Sequence, residues 1–196
     1  MKTARLTKDE TRARIMTQAD TLFRQFGYSK TTVADIAKEL GMSTANIYKF
    51  FPSKSAIIQT GADRSLCQMK EILRQVVRSK KSAADRLLGV ILTIYHFHQD
   101  YFRDERQIYK LVLAATEENW SCVRNFKEFL TTILNELIED GIRTGEFRAR
   151  KVQATTRVLL DCFTWITNPI LLRELNADEV EARARAQVRL LARALE

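Results

Sequence analysis

Ser43, Thr44, Ala45, Asn46 and Lys49 bring small side chains, short polar ones and one cation together within a single short segment. Side chains of these types fit against the edges of base pairs. Asn46 can bond an adenine edge through two hydrogen bonds, Thr44 and Ala45 can meet a thymine methyl, and Lys49 can reach a guanine or a phosphate. The same residues would also serve as a plain solvated helix face, so the segment around them has to decide. Ile47 and Phe51, four positions apart, interrupt the polar run and point back towards a core.

The charge around this segment suits a polyanion. Residues 1–60 hold 10 Lys and Arg against 5 Asp and Glu, and the remaining residues hold 22 against 19, out of a net charge of +8. No carboxylate stands between Glu39 and Asp63, so a surface built from that stretch meets phosphates without local repulsion. Nucleic acid is the expected partner, with an acidic membrane surface next. A spanning segment is not expected, because no stretch of 18 consecutive apolar residues occurs. The charged start MKTARLTKDETRARIM does not read as a secretory signal, and Cys67, Cys122 and Cys162 are too scattered for a disulfide framework or a metal site. The expected location is the cytoplasm.

The elements that must hold these residues are helical. Few glycines and prolines punctuate the chain, and an all-α fold of about nine helices is expected. Ile15, Ala19, Leu22, Phe23 and Phe26 form an amphipathic stripe that starts at a Thr7/Glu10 capping box and stops at Gly27. Thr32 and Asp35 open a two-turn helix through Val33, Ile36, Ala37 and Leu40. Gly41-Met42-Ser43 then turns the chain into a third helix over roughly 44–51, and Pro52 breaks it before a long fourth helix capped by Ser53. Two short helices around a glycine turn make a helix-turn-helix, whose second helix enters the major groove. Beyond lie helices expected over 82–98 and 108–115, a long one through Val123, Phe126, Leu130, Ile133 and Leu137 that ends at Gly141 and Gly145, and others over 152–167 and from Asn176 onward.

The stretch Thr31 to Lys54, TTVADIAKELGMSTANIYKFFPSK, resembles the DNA-binding signature of the tetracycline-repressor (TetR) family of bacterial regulators. The likeness covers the Thr-Thr-Val start, the Ile-Ala and Leu-Gly of the second helix, the Ser after the turn, the Tyr-x-x-Phe of the third helix and the Pro-Ser-Lys before the fourth. Ala19, Phe23, Phe26, Gly27 and Tyr28 extend it. The resemblance implies a homodimer on a palindromic double-stranded operator, usually a repressor released when a small molecule enters the C-terminal body. It places Thr44, Ala45, Asn46 and Lys49 on bases, and Thr32, Ser43, Tyr48 and Lys54 on phosphates. For Thr32 and Ser53 a bare capping role is the other reading, and for Tyr48 a place in the core. Phe50 stands where the family often has a histidine or another polar residue on the DNA backbone, which leaves one phosphate contact unfilled.

Under this reading residues 1–52 form the DNA-binding domain and 53–196 the effector-binding and dimerisation domain. Tyr95, Trp120, Phe126, Cys162 and Trp165 are candidates to line an apolar effector pocket, although aromatic stripes more commonly form plain core. Leu159, Phe163, Val180, Ala184, Val188 and Leu191 are candidates for a four-helix dimer interface, the other reading being that they close the protomer's own core. His96 and His98 diverge at their i, i+2 spacing, which is poor geometry for a shared metal. No nucleophile elbow, phosphate-binding Gly-rich loop or carboxylate–histidine cluster is present, so neither catalytic residues nor a cofactor or metal is expected. The rival reading is a constitutive DNA-binding or architectural protein with a ligand-free body.

Overall fold

The computed structural model describes residues 6–102, 115, 120–168, 171 and 176–195, and every regular element among them is a helix. These are α1 (Lys8–Phe26), α2 (Val33–Glu39), α3 (Thr44–Tyr48), α4 (Lys54–Val77), α5 (Ala83–Phe102), α6 (Ser121–Arg143), α7 (Val152–Cys162), α8 (Thr164–Thr167) and α9 (Ala177–Leu195). The helix expected over 108–115 lies outside the described residues, apart from Ala115. Two compact units arise, the first running to Ser65 and the second taking the described residues from Leu66 on.

In the first unit α1 packs on α2 and α2 on α3. Its core consists of Ile15, Ala19, Leu22 and Phe23 of α1, Val33, Ile36 and Ala37 of α2, Ile47 and Phe51 around α3, and Ile57 and Ile58 of α4. Capping boxes start the first two helices: Thr7 and Glu10 satisfy each other's backbone N–H groups, as do Thr32 and Asp35. Those bonds hold the Glu10 and Asp35 carboxyls below their ordinary range. The turn after α2 closes when Met42 N–H donates to Ala37 O at 2.8 Å and Gly41 N–H to Lys38 O at 3.1 Å. This pairing requires Gly41 at φ 64°, where a side chain would be strained although nothing lies within 4 Å of an added Cβ. α3 is shorter than the spacing predicts. Phe50 and Phe51 N–H both turn onto Ile47 O, because Pro52 forces the chain out of helix ahead of itself.

In the second unit α5 is the central helix, packed by α6, α8 and α9, with α7 on α6. Its Leu87, Val90, Ile91, Ile94 and Tyr95 meet Met69, Leu73 and Val77 of α4 and Leu130 to Ile138 of α6 in one buried cluster. The buried Arg86 guanidinium joins three helices. It donates to Val77 O at 3.1 Å and pairs with Asp140 at 2.7 Å, while Arg143 bonds the same carboxylate. The bonds from Arg143 and Arg86 hold the Asp140 carboxyl below its usual range. Glu146 ties the same corner by accepting Ala83 N–H at 2.7 Å. α6 lets Phe147 fold back flush against Gly141, where an added Cβ would lie 2.4 Å from the ring.

The pattern over 152–167 predicts one helix and the structure has two. Gln187 of α9 donates its Nε2–H to Cys162 O at 2.7 Å, and Ile166 N–H bonds Phe163 O instead of that carbonyl. The carbonyl is thus satisfied from another helix and the break at Phe163 leaves no orphan acceptor there.

Leu159, Phe163, Val180, Ala184 and Val188, expected at a dimer interface, lie inside the protomer's own core, and Leu191 packs against it. The stripe they form is the one the protomer needs to close itself. Outward-facing on the same helices are Ala154 and Val158 of α7 and Ala182, Ala186 and Leu190 of α9. No described helix is long and apolar enough to cross a membrane.

Candidate nucleic-acid interface

Five residues make too short a helix to stand alone, so α3 depends on what it packs against. Ile47 is completely buried and Phe51 nearly so, which fixes the helix by one face. At 3.6 residues per turn the opposite face belongs to Ala45 and Lys49, flanked by Thr44 and Tyr48 on one side and Asn46 on the other. Thr44, Ala45, Tyr48 and Lys49 are exposed and Asn46 is half-buried. Ala45 and Lys49 therefore stand opposite the buried face, with Thr44 and Asn46 at its two margins.

Among the residues expected at phosphates, Ser43 caps α3 by accepting Asn46 N–H at 3.2 Å, which leaves its own hydroxyl proton for a further acceptor. Tyr48 is 51% exposed, so the core reading of this ring does not describe it. The Thr32 hydroxyl is engaged both ways in its capping box, donating to Asp35 at 2.7 Å and accepting Asp35 N–H at 3.1 Å. Lys54 is spent largely within the unit. Its Nζ donates to Tyr28 O at 2.8 Å and Thr31 O at 3.0 Å and stands 4.3 Å from the centre of the Tyr28 ring. That clamp, with Thr31 Oγ1 donating to Gly27 O, holds the connection between α1 and α2.

Sequence reasoning missed Arg12. From α1 its Nη1 donates to Phe50 O at 2.9 Å, and the guanidinium lies 4.3 Å from the centre of the Phe51 ring. The sequence puts Arg12 one turn ahead of Ile15 on the core-facing stripe of α1, but nothing in it discloses the carbonyl 38 positions on that Arg12 meets.

Residues 15–60 match the family described as bacterial regulatory proteins, tetR family, and residues 83–188, more than half of the chain, match the tetracyclin repressor-like C-terminal domain. The chain belongs to the TetR family. It is a DNA-binding transcriptional regulator, as members of the family are. The HTH-type transcriptional regulator YfiR of Bacillus subtilis is 25% identical over 181 residues, covering 89% of this chain and 85% of its own. A TetR/AcrR regulator from Thermobifida fusca shares the fold with a TM-score of 0.69 at 23% identity, over 93% of this chain and 96% of the other. FadR from Bacillus subtilis, solved with stearoyl-CoA, shares it at 0.63 and 17% identity, over 94% and 99%.

Within the part matching the TetR C-terminal domain, the pocket candidates fall in different settings. Tyr95 belongs to the buried core, Phe126 and Trp165 pack against it, and Trp120 is buried at the start of α6. Cys162 and Trp165 are brought together by Gln187, whose Oε1 accepts from Trp165 Nε1 at 2.8 Å while its Nε2 holds Cys162 O. Arg183 lies over the same indole at 4.2 Å. Gln187 was the unforeseen residue here, since a lone amide on an amphipathic helix gives no signal in sequence.

Proposed function

We propose that this TetR-family regulator is a cytoplasmic homodimeric repressor that reads a palindromic operator and is released from it by a small-molecule effector bound in the C-terminal body. Residues 1–52 act as the reading head, and 53–196 as the effector-binding and dimerisation domain. The observation that carries this reading is the solvent side of α3: Ala45 and Lys49 stand opposite the fully buried Ile47, with exposed Thr44 and half-buried Asn46 at the two margins. Such a helix presents fixed side chains to base edges, and ordering them costs little on binding. Ser43 and Tyr48 supply hydroxyls for phosphates; Thr32 adds a third if it shares its capping bond, and Lys54 has one N–H left for the same purpose. An effector releases DNA only if it favours a body conformation in which the two heads are displaced from successive major grooves.

FadR was solved with stearoyl-CoA, which makes acyl-CoA thioesters the first class of effector to screen. The apolar and aromatic side chains of the body, Tyr95, Phe126 and Trp165 among them, suit the chain of such a molecule.

Selection of bound duplexes from a random library by the purified protein tests the reading. A palindromic consensus with half-sites one or two helical turns apart is the expected outcome, and it supplies the probe for the effector screen. Failure to enrich any sequence overturns operator reading. A firm consensus whose binding no acyl-CoA or other small molecule weakens supports a constitutive DNA-binding protein instead.

A further inference from the structure

We propose that Arg12 is a phosphate-contacting residue of the DNA interface, held in place for that role by the end of the reading helix. The inference rests on the reading of α3 as the DNA-reading element. The Phe50 carbonyl lies just beyond α3, where the chain leaves helical geometry ahead of Pro52, and Arg12 Nη1 donates to it at 2.9 Å. The guanidinium also rests on the Phe51 ring at 4.3 Å. A guanidinium carries five N–H donors, so this contact leaves most of them available. Arg12 remains exposed, and no ion pair among the described residues involves it. The other cations with partners in this unit are differently occupied: Arg24 pairs with Asp20 at 2.9 Å, and Lys54 is turned onto two carbonyls. Arg12 is thus a cation fixed at the Phe50 carbonyl and the Phe51 ring without being neutralised. Phe50 has no polar side chain to offer there, but its carbonyl positions one that does. The planar fork can hold the carbonyl and an oxyanion together, which an ammonium on a flexible stem does poorly.

The test compares the full-length protein with Arg12→Gln and Arg12→Lys on the duplex enriched by the library selection and on a random duplex of equal length, across a salt series. Gln forms helix well, and far-UV circular dichroism confirms that each variant keeps its fold. Arg12→Gln is expected to bind both duplexes at least five- to tenfold more weakly, with the slope of log affinity against log salt reduced by about two, one phosphate for each head of the dimer. The ratio between the two duplexes should stay near the wild-type value. Arg12→Lys should restore the slope but only part of the affinity. If Arg12→Gln lowers the ratio and leaves the slope intact, Arg12 merely positions α3 and the phosphate role is overturned; unchanged binding on both duplexes overturns it too. A wild-type protein that enriches no duplex overturns the reading of α3 itself, an outcome distinct from either.

Discussion

Asn46 and Ile47 are neighbours with opposite duties. Asn46 is half-buried on the proposed reading side of α3, where its amide can pair with one adenine, Oδ1 accepting from N6–H and Nδ2–H donating to N7, while Ile47 is sealed in the core. Asn46→Ala is expected to lower affinity for the selected operator by about 1–3 kcal/mol and to leave random DNA nearly unaffected, as measured by competition between the two. Equal losses on both would remove its base-reading role. His98 makes a second prediction at this scale. Burial pushes its imidazole down to about 4 from 6.5, against hydrogen bonding to the Thr167 backbone, which pulls upward. Between those values the unfolded chain binds a proton that the folded chain refuses, so stability should fall as pH drops from 6.5 towards 4. Denaturant midpoints of wild type and His98→Gln over that range should converge as pH falls, the difference being the contribution of one proton. Parallel curves would mean that the ring titrates alike in both states. The reading side of α3 was legible in sequence because a two-class pattern, small polar against large apolar, needs only helical geometry to sort it. The parts played by Arg12, Lys54 and Gln187 were not, because each joins residues 22 to 38 positions apart, and a side chain type does not disclose which distant carbonyl it meets.

At the scale of elements, the chain marks its helix ends locally and its helix breaks remotely. The capping boxes at Thr7 and Thr32 and the glycine turn at Gly41 involve residues three to five apart, and all could be read in advance. The break between α7 and α8 depends on α9. Without Gln187 the segment has every reason to run on as one helix, since Cys162 O would then accept Ile166 N–H. Gln187→Leu removes the donor from that carbonyl and the acceptor from Trp165 Nε1 at once. Leaving partly buried polar groups unpaired costs about 1–3 kcal/mol each, reduced to the extent that Cys162 O recovers its helical partner. The expected result is a thermal midpoint lowered by several degrees, with a changed tryptophan emission as the indole loses its bond. A variant with wild-type stability and emission would show that the clamp adds nothing to the body.

For the whole molecule, the proposed homodimer needs a surface on which two copies would meet. All the candidates for a dimer interface but Leu191 are core, and truncating one of them, as in Leu159→Ala, should cost about 2–5 kcal/mol of the protomer's own stability. The exposed side of the same helices is different in kind. Leu190 is 70% exposed and Val158 is 55% exposed, and Ala154, Ala182 and Ala186 provide small residues on which backbones can approach closely. Arg157, Arg189 and Arg193 are exposed on the same two helices, so in a symmetric dimer through this side a further cation would meet its own symmetry mate as well as these. Leu190→Arg is therefore expected to shift the protein from dimer to monomer in sedimentation analysis while preserving its helical content, since the residue it replaces supports nothing inside the protomer. Binding to a full operator should weaken much more than binding to an isolated half-site, because a monomer loses the linkage between two heads. A Leu190→Arg protein that remains a dimer would place the interface on another face of the body; one that becomes monomeric yet binds the full operator undiminished would separate dimerisation from operator reading.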